Sequence, residues 1–127
     1  MAKYSSTAHP EVIVDVLFEK GLLYFVIINH SDEVARNVRV KFDRKIMGVQ
    51  GRVIISDLNI FDALDFLAPR KEIRVFIDVA QGYFARKGPE KLKLSVEWRN
   101  EGRKRFSRTI YHNLSVYKDM GYLGNIE

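Results

Sequence analysis

The sequence predicts an all-β domain, an antiparallel sandwich or small barrel of six or seven strands. Short segments in which apolar and polar residues alternate recur along the chain, and such alternation is typical of strands that bury one face. Clusters of Gly, Asn, Asp and Pro separate these segments, as they do at turns. No stretch shows the apolar spacing of a long helix, so the strands are expected to pair with one another.

The size and composition fit one domain with a single core. The chain has 127 residues, of which 46% are hydrophobic, and domains most often contain about 100–150 residues. It has no Cys, which excludes a disulfide framework, a thiolate metal site and catalysis by Cys. We predict a flexible N-terminal tail at residues 1–10, a domain at residues 11–118 and a C-terminal tail at residues 119–127.

The first two strands form a predicted hairpin. The segment from Val12 to Phe18 is rich in Val, Ile, Leu and Phe, and the segment from Leu22 to Asn29 is almost wholly apolar. Lys20 and Gly21 stand between them, and a two-residue connection that ends in Gly is typical of a tight hairpin turn.

A third strand is predicted after the turn-forming cluster from Asn29 to Asp32. The segment from Asn37 to Phe42 alternates cleanly between apolar and polar residues. The alternation directs three apolar side chains to the core and two basic ones to water: Val38, Val40 and Phe42, then Arg39 and Lys41.

Residues 43–70 give the weakest pattern in the chain. Arg52 to Ser56 could form a strand, and Asp57 to Phe66 could form one or two helical turns. Some local structure is expected here, because bare loops of this length are uncommon in compact domains.

Three strands are predicted in the last third of the chain. They span Lys71 to Asp78, Lys91 to Arg99 and Arg103 to Leu114, with a turn at residues 100–102 before the last of them. Residues 79–90 contain two Gly and one Pro and are predicted to form a loop. The apolar positions directed to the core are Ile73, Val75, Ile77, Leu92, Leu94, Val96, Trp98, Phe106, Ile110 and Leu114.

Three segments carry a recognisable motif pattern. Residues 29–40, NHSDEVARNVRV, are similar to the pattern N-x-G-x-x-x-A-x-N-V-x-V; residues 66–73, FLAPRKEI, to FL-x-PG-x-E-I; and residues 113–117, NLSVY, to a closing strand. In all three the chain resembles prokaryotic immunoglobulin-like modules of the CARDB-like kind. It departs from them in lacking the expected Gly after Asn29 and in carrying Arg70 after Pro69.

The resemblance covers roughly residues 11–118 and implies an immunoglobulin-like antiparallel β-sandwich of about seven strands. In such a sandwich the third, sixth and seventh strands lie side by side in one sheet. The motifs that carry the resemblance are structural, so they imply a fold and no catalytic activity.

Catalytic motifs are absent from the sequence. It has no G-x-S-x-G, H-E-x-x-H, P-loop or G-x-G-x-x-G, so we predict that the protein is not an enzyme and needs no cofactor. His9, His30 and His112 fall in a tail, a turn and a strand, without the close spacing seen in many metal sites. Alternation points His112 inward, where we expect a hydrogen-bonded, partly buried histidine in preference to a general base.

One local group of acids is a candidate for Ca²⁺. Asp57, Asp62 and Asp65, with Asn59, could offer hard oxygen ligands. Their spacing does not fit an EF-hand loop, and the apolar residues between them indicate a partly buried segment with its acids turned to water. We therefore predict no metal site.

The segment from Met47 to Ile54 matches the I-G-x-x-G-x-x-I loop by which KH domains clamp a nucleic-acid backbone. With 8 Gly in the chain, the G-x-x-G pattern arises easily by chance. A KH domain also needs a helix just before this loop, where alternation predicts a strand. Binding of nucleic acid by this loop stays open as one hypothesis.

A surface rich in basic residues is a second way in which the domain could bind nucleic acid. The chain has 21 Lys and Arg against 16 Asp and Glu, a net charge of +5. Alternation gathers basic residues on the outward face of the three neighbouring strands, with Glu97 as the one acid among them. The candidate polyanion-binding residues are Arg39, Lys41, Lys91, Lys93, Arg99, Arg103 and Arg105. The alternative is a solvated face whose Lys and Arg side chains also discourage pairing at sheet edges.

Taken together, these features predict a non-enzymatic interaction module that binds another protein, with binding of nucleic acid or another polyanion as the alternative. The longest apolar run, Leu22 to Ile28, is far shorter than the roughly 18 residues of a membrane span. The first residues lack the apolar stretch of a secretory signal, so a cytoplasmic location is the expectation. The oligomeric state is left open.

Overall fold

Strands dominate residues 8–119, the part of the chain that the structure, a computed structural model, describes. The strands are β1 (Val12–Glu19), β2 (Leu22–Asn29), β3 (Ala35–Phe42), β4 (Met47–Gly48), β5 (Val53–Ile54), β6 (Leu64–Leu67), β7 (Glu72–Val79), β8 (Lys91–Arg99) and β9 (Arg105–Asn113). One short α-helix, α1 (Ala80–Ala85), and three 3₁₀ segments, Ile55–Asp57, Asn59–Phe61 and Leu114–Asp119, complete the described chain.

The strands form a sandwich of two antiparallel sheets. One sheet has the order β1-β2-β7 and the other has the order β6-β3-β8-β9, while β4 and β5 form a separate short hairpin. The predicted all-β sandwich is confirmed. The predicted adjacency of the third strand and the last two long strands is also confirmed, because β8 lies between β3 and β9.

The core lies between the inward faces of the two sheets, as the alternation predicted. β8 shows the pattern most clearly, since all four of its inward residues, Leu92 to Trp98, are buried. β2 is apolar on both faces, and its outward residues Leu22, Tyr24, Val26 and Ile28 make the outer side of its sheet apolar. An aromatic cluster of Phe25, Phe42 and Phe61 fills one end of the core, with ring centroids 5.0–6.1 Å apart.

The segment that gave the weakest pattern closes this end of the sandwich. The predicted strand within residues 52–56 is present but short, as β5, and the helical turns are limited to two 3₁₀ segments. These elements bury Ile46, Ile55 and Phe61. These turns do not continue to Phe66, because residues 64–67 form β6 on the edge of the four-stranded sheet.

The predicted loop at residues 79–90 is wrong in its first half. Residues 80–85 form α1 although Gly82 lies within it. The helix is stabilised by burial, since Ala80 and Tyr83, three residues apart on one face, are both buried. The Tyr83 hydroxyl donates a hydrogen bond of 2.5 Å to the Pro89 carbonyl oxygen, which ties the following loop to the helix.

The folded part begins before Glu11. The Trp98 indole N–H donates to the carbonyl oxygen of Pro10 at 2.9 Å, and the His9 ring stacks on Phe106 at 4.9 Å. His9 and Pro10 of the predicted N-terminal tail therefore contact the domain, whereas residues 1–7, and residues 120–127 of the predicted C-terminal tail, lie outside the described residues. No helix within residues 8–119 is long and apolar enough to cross a membrane.

Candidate functional site: the basic sheet face

The outward side of β3, β8 and β9 forms a surface that we call the basic face. Its side chains are arranged in cross-strand rows because the three strands are paired in register. The rows, each running from β3 to β9, are Arg36, Arg99 and Arg105; Arg39, Glu97 and Ser107; Lys41, Ser95 and Thr109; then Lys93 and Tyr111; and last Lys91 and Asn113.

A β-bulge in β3 adds an arginine to this face. Arg36 pairs with Arg99 and Arg39 with Glu97, so three steps on β3 match two on β8. Asn37 accommodates the extra residue with a φ of 51°. Without the bulge, Arg36 and Arg39 would lie on opposite sides of the sheet; with it, both face outward.

The structure brings six of the seven predicted residues onto the basic face, namely Arg39, Lys41, Lys91, Lys93, Arg99 and Arg105. The seventh, Arg103, lies in the turn between β8 and β9, because β9 begins at Arg105 and not at Arg103. Its φ of 69° and a backbone hydrogen bond to Asn100 at 3.0 Å fix it beside the face.

Ion pairs neutralise only two of the cations on this face. Arg36 donates to the Glu101 carboxylate at 2.7 Å, and Arg39 donates to Asp65 at 3.0 Å. The hydrogen bond from Arg36 lowers the pKa of the Glu101 carboxyl. Within residues 8–119, the other five cations of the face form no ion pair: Lys41, Lys91, Lys93, Arg99 and Arg105.

Three arginines gather at one end of the basic face. Arg36, Arg99 and Arg103 line a depression of about 490 Å³ together with Glu101 and two Asn side chains. Guanidinium groups bind oxyanions through planar pairs of N–H donors. This end of the face therefore has more donors and positive charge than Glu101 alone can satisfy.

The other end of the face presents an aromatic ring beside two lysines of the neighbouring strand. Tyr111 has 73% of its surface exposed and pairs with Lys93 across the sheet. Tyr111, Lys91 and Lys93 line a second depression, of about 390 Å³. The Asp43 carboxylate at its border accepts a hydrogen bond from the Lys93 backbone N–H at 3.1 Å, and this bond lowers the pKa of Asp43.

A family model described as "Domain of unknown function (DUF8453)" matches residues 2–118. The chain belongs to this family. No curated protein and no solved structure matches the chain. The resemblance to CARDB-like modules stays a prediction, and these comparisons assign no function to the DUF8453 domain.

The G-x-x-G segment of this DUF8453 domain is the turn of the β4–β5 hairpin, with no helix on either side among the described residues. The Val49 N–H donates to the Ile77 carbonyl oxygen at 2.9 Å, and the Gln50 N–H donates to the Asp78 carboxylate. A KH-type clamp needs these loop amides free to approach a phosphate backbone. Their engagement with β7 argues against the loop version of nucleic-acid binding.

The fold itself explains why glycine stands at both positions of the G-x-x-G motif. A Cβ atom on Gly48 would lie 2.0 Å from the Ile77 carbonyl oxygen, so β7 packs where a side chain would stand. Gly51 has a φ of 80°, a conformation that disfavours residues with a side chain.

The candidate acids for Ca²⁺ are not gathered by the DUF8453 fold. Asp57 binds Lys45 at 3.0 Å, and Asp65 binds Arg39. No group of three or more His, Asp or Glu side chains within residues 8–119 could hold a metal ion. His112 is half-buried, and its Nε2 lies 2.8 Å from the Val14 carbonyl oxygen, so the prediction of a hydrogen-bonded histidine is confirmed.

Two residues of the basic face in this DUF8453 domain were not predicted from the sequence. Arg36 was missed because a bulge breaks the alternation that placed Arg39 and Lys41. Tyr111 was missed although alternation could have found it, since it follows Ser107 and Thr109 at outward positions of β9.

Proposed function

We propose that this DUF8453 domain is a non-enzymatic interaction module that binds polyanions through its basic face. The observation that carries the proposal is the set of five cations on that face with no ion pair among the described residues, which are Lys41, Lys91, Lys93, Arg99 and Arg105. Like charges at neighbouring positions of a sheet are destabilising, and an anionic ligand would offset their repulsion.

Protection of sheet edges does not account for these charges. Lys and Arg on edge strands discourage pairing with other chains, but β8 is an interior strand between β3 and β9. It carries Lys91, Lys93 and Arg99 on its outward side. The basic residues of β8 therefore need another reason, and ligand binding supplies one.

The shape and composition of the basic face favour binding to phosphate or sulfate groups spaced along a chain. Cations occur at both ends of the face, while Ser95, Ser107 and Thr109 lie between them with short hydroxyl side chains. Hydroxyl groups and guanidinium groups both donate to oxyanions. Binding of this kind depends on charge and weakens steeply as salt rises.

The test compares two variants of equal net charge. Lys93→Glu with Arg105→Glu alters both ends of the basic face. Arg52→Glu with Lys71→Glu alters two exposed residues outside it that form no ion pair within residues 8–119. Each pair of reversals lowers the net charge from +5 to +1, because each reversal removes one positive charge and adds one negative charge. Binding to heparin is measured by titration at low salt.

We expect the first variant to lose most of its heparin affinity and the second to lose much less. Failure of the unaltered protein to bind heparin or any oligonucleotide near physiological salt would overturn the proposal. An equal loss in both variants would also overturn it, since binding would then follow net charge and not the basic face.

Protein–protein contact is the second candidate function, and the outer side of the three-stranded sheet favours it. We call this side the apolar face; its outward residues are Ile13, Leu17, Leu22, Tyr24, Val26, Ile28, Phe76 and Val79. Phe76 and Val79 are 38% and 45% exposed. An apolar patch of this kind on a soluble domain commonly marks a contact surface.

The partner that fits the apolar face is a second copy of the chain. Asp15, Val26 and Arg74 form one cross-strand row, with opposite charges on either side of an apolar centre. A twofold axis parallel to β2 would face Arg74 of each copy with Asp15 of the other. Three strands offer a small contact area, so the dimer would be weak.

Sedimentation over a range of protein concentrations tests this candidate. We expect a reversible dimer that Asp15→Arg weakens and that Asp15→Arg with Arg74→Asp restores. A protein that stays monomeric at millimolar concentration, or a double variant that fails to restore association, would contradict it.

A further inference from the structure

We infer that the polyanion bound by the basic face is a single-stranded nucleic acid and that Tyr111 stacks on one of its bases. The inference rests on the proposed function and adds the class of ligand. It starts from an aromatic ring that is 73% exposed and lies beside Lys93 and Lys91 of the neighbouring strand. Basic surfaces with exposed aromatic rings are how many proteins bind single strands.

The Tyr111 ring is exposed and is not part of the hydrophobic core of the described residues. No other aromatic ring among the described residues packs against it. Other described tyrosines are used by the fold: Tyr83 is buried, and Tyr117 stacks on Phe18 and donates to the Val16 carbonyl oxygen. Most of the Tyr111 ring is therefore accessible to a planar ligand.

Cations lie where the phosphates next to a stacked base would fall. Lys93 is the cross-strand partner of Tyr111, and Lys91 lies in the same depression. From Tyr111 the basic face continues along β9 past Thr109 and Ser107 to Arg105. Six residues of a strand span about 20 Å, a length over which a single strand places several phosphates.

The far end of the basic face has the chemistry to hold such a chain. Arg99 and Arg105 stand side by side in one row, with Arg36 beyond them. The guanidinium of Arg36 lies 5.2 Å from the ring centroid of Phe66, and this ring is 50% exposed. A stacking ring with a neighbouring cation therefore occurs at both ends of the face.

Stacking separates a single strand from other polyanions. In a duplex the bases are stacked on each other and present phosphates to a protein surface, so the Tyr111 ring would have no base to contact. Heparin has no planar base. Only a single-stranded nucleic acid supplies both the charges and the aromatic faces that this surface can bind.

The test measures the affinity of Tyr111→Ala and Tyr111→Phe for three probes: an oligothymidine of about 12 nucleotides, within the site sizes usual for such surfaces, a duplex of the same length, and heparin. A Tyr111→Trp variant reports stacking through quenching of its fluorescence, since the native Trp98 is buried. The Tyr111 side chain is exposed, so these variants are expected to fold.

We expect Tyr111→Ala to weaken oligothymidine binding at least about fivefold, because stacking of one base on an aromatic ring is worth about 1 kcal/mol or more. Tyr111→Phe should bind like the unaltered protein, and heparin binding should not change in either variant. The fluorescence of Tyr111→Trp should be quenched by oligothymidine and not by heparin.

Unchanged oligothymidine binding by Tyr111→Ala would overturn the inference, as would an equal loss for heparin. Heparin binding without oligothymidine binding would overturn the inference while leaving polyanion binding intact. Failure to bind any of the three probes would overturn both the inference and the proposed function.

Discussion

At the scale of single residues, Asp78 shows how one buried carboxylate holds three segments together. Only 2% of its surface is exposed. Its carboxylate accepts hydrogen bonds from the backbone N–H groups of Gln50 and Val79, and Arg86 Nη2 lies 2.6 Å away. These contacts join the β4–β5 turn, the end of β7 and the end of α1, and they offset the cost of burying the charge.

Asp78→Ala should lower the free energy of unfolding by about 1–3 kcal/mol, because it leaves buried N–H donors without an acceptor. The matched control is Asp62→Ala, since Asp62 is exposed and makes no ion pair among the described residues. The control should change stability by less than about 0.5 kcal/mol. Urea denaturation measures both, and equal stabilities would contradict the account of Asp78.

Tyr83 makes the stability of the domain depend on pH in the alkaline range. Burial raises the pKa of its hydroxyl to about 12, from an ordinary value of 10. The unfolded chain loses this proton near pH 10, whereas the folded chain keeps it until about pH 12. The contribution of Tyr83 to stability is therefore complete below pH 10 and is lost as the pH rises towards 12.

Tyr83→Phe should remove this part of the pH dependence. We expect the stability of the unaltered protein to fall more steeply than that of Tyr83→Phe between pH 10 and pH 12, measured by urea denaturation at several pH values. Parallel curves in this window would show that Tyr83 does not titrate differently in the two states.

At the scale of elements, alternation predicted a strand wherever it sets one face against the core. β8 was predicted with its observed bounds, Lys91–Arg99, because its alternation continues to the last residue. β2 was also predicted with its observed bounds, Leu22–Asn29, from its almost wholly apolar run. β6 was missed because Asp65 and Phe66 both face outward and interrupt the alternation. α1 was missed because six residues give too short a window for helical periodicity.

Alternation also predicted most residues of the candidate site. Six of its seven predicted residues lie on the basic face, because the register of β3, β8 and β9 follows from the apolar residues that the three strands bury. The bulge at Asn37 could not be predicted, since it depends on pairing between distant segments. Nor could the ion pairs of Arg36 and Arg39, whose partners Glu101 and Asp65 lie on other elements.

The β4–β5 hairpin offers a test of packing between elements. Gly48→Ala would place a Cβ atom 2.0 Å from the Ile77 carbonyl oxygen, so the hairpin must move away from β7. We expect a loss of at least about 1–3 kcal/mol of stability. Gly102→Ala is the control, because its nearest neighbour would be a side-chain oxygen at 3.5 Å, and it should be tolerated. Equal thermal stability of the two variants would contradict the close contact.

At the scale of the whole molecule, the two sheets present opposite surfaces. The basic face carries seven Lys and Arg side chains and one acid, Glu97. The outer side of the other sheet carries three acids, Asp15, Glu19 and Glu72, and one cation, Arg74. Charge separation of this kind orients an approaching polyanion towards one side of the domain.

The dependence of oligothymidine affinity on salt concentration tests the central claim most directly. The logarithm of the binding constant should fall linearly with the logarithm of salt concentration, by about 0.7 for each phosphate contact on a single strand. Lys93→Glu with Arg105→Glu should reduce this slope by about 1.4, and Arg52→Glu with Lys71→Glu should leave it unchanged. A flat salt dependence of the unaltered protein, or the same slope in both variants, would contradict binding through the basic face.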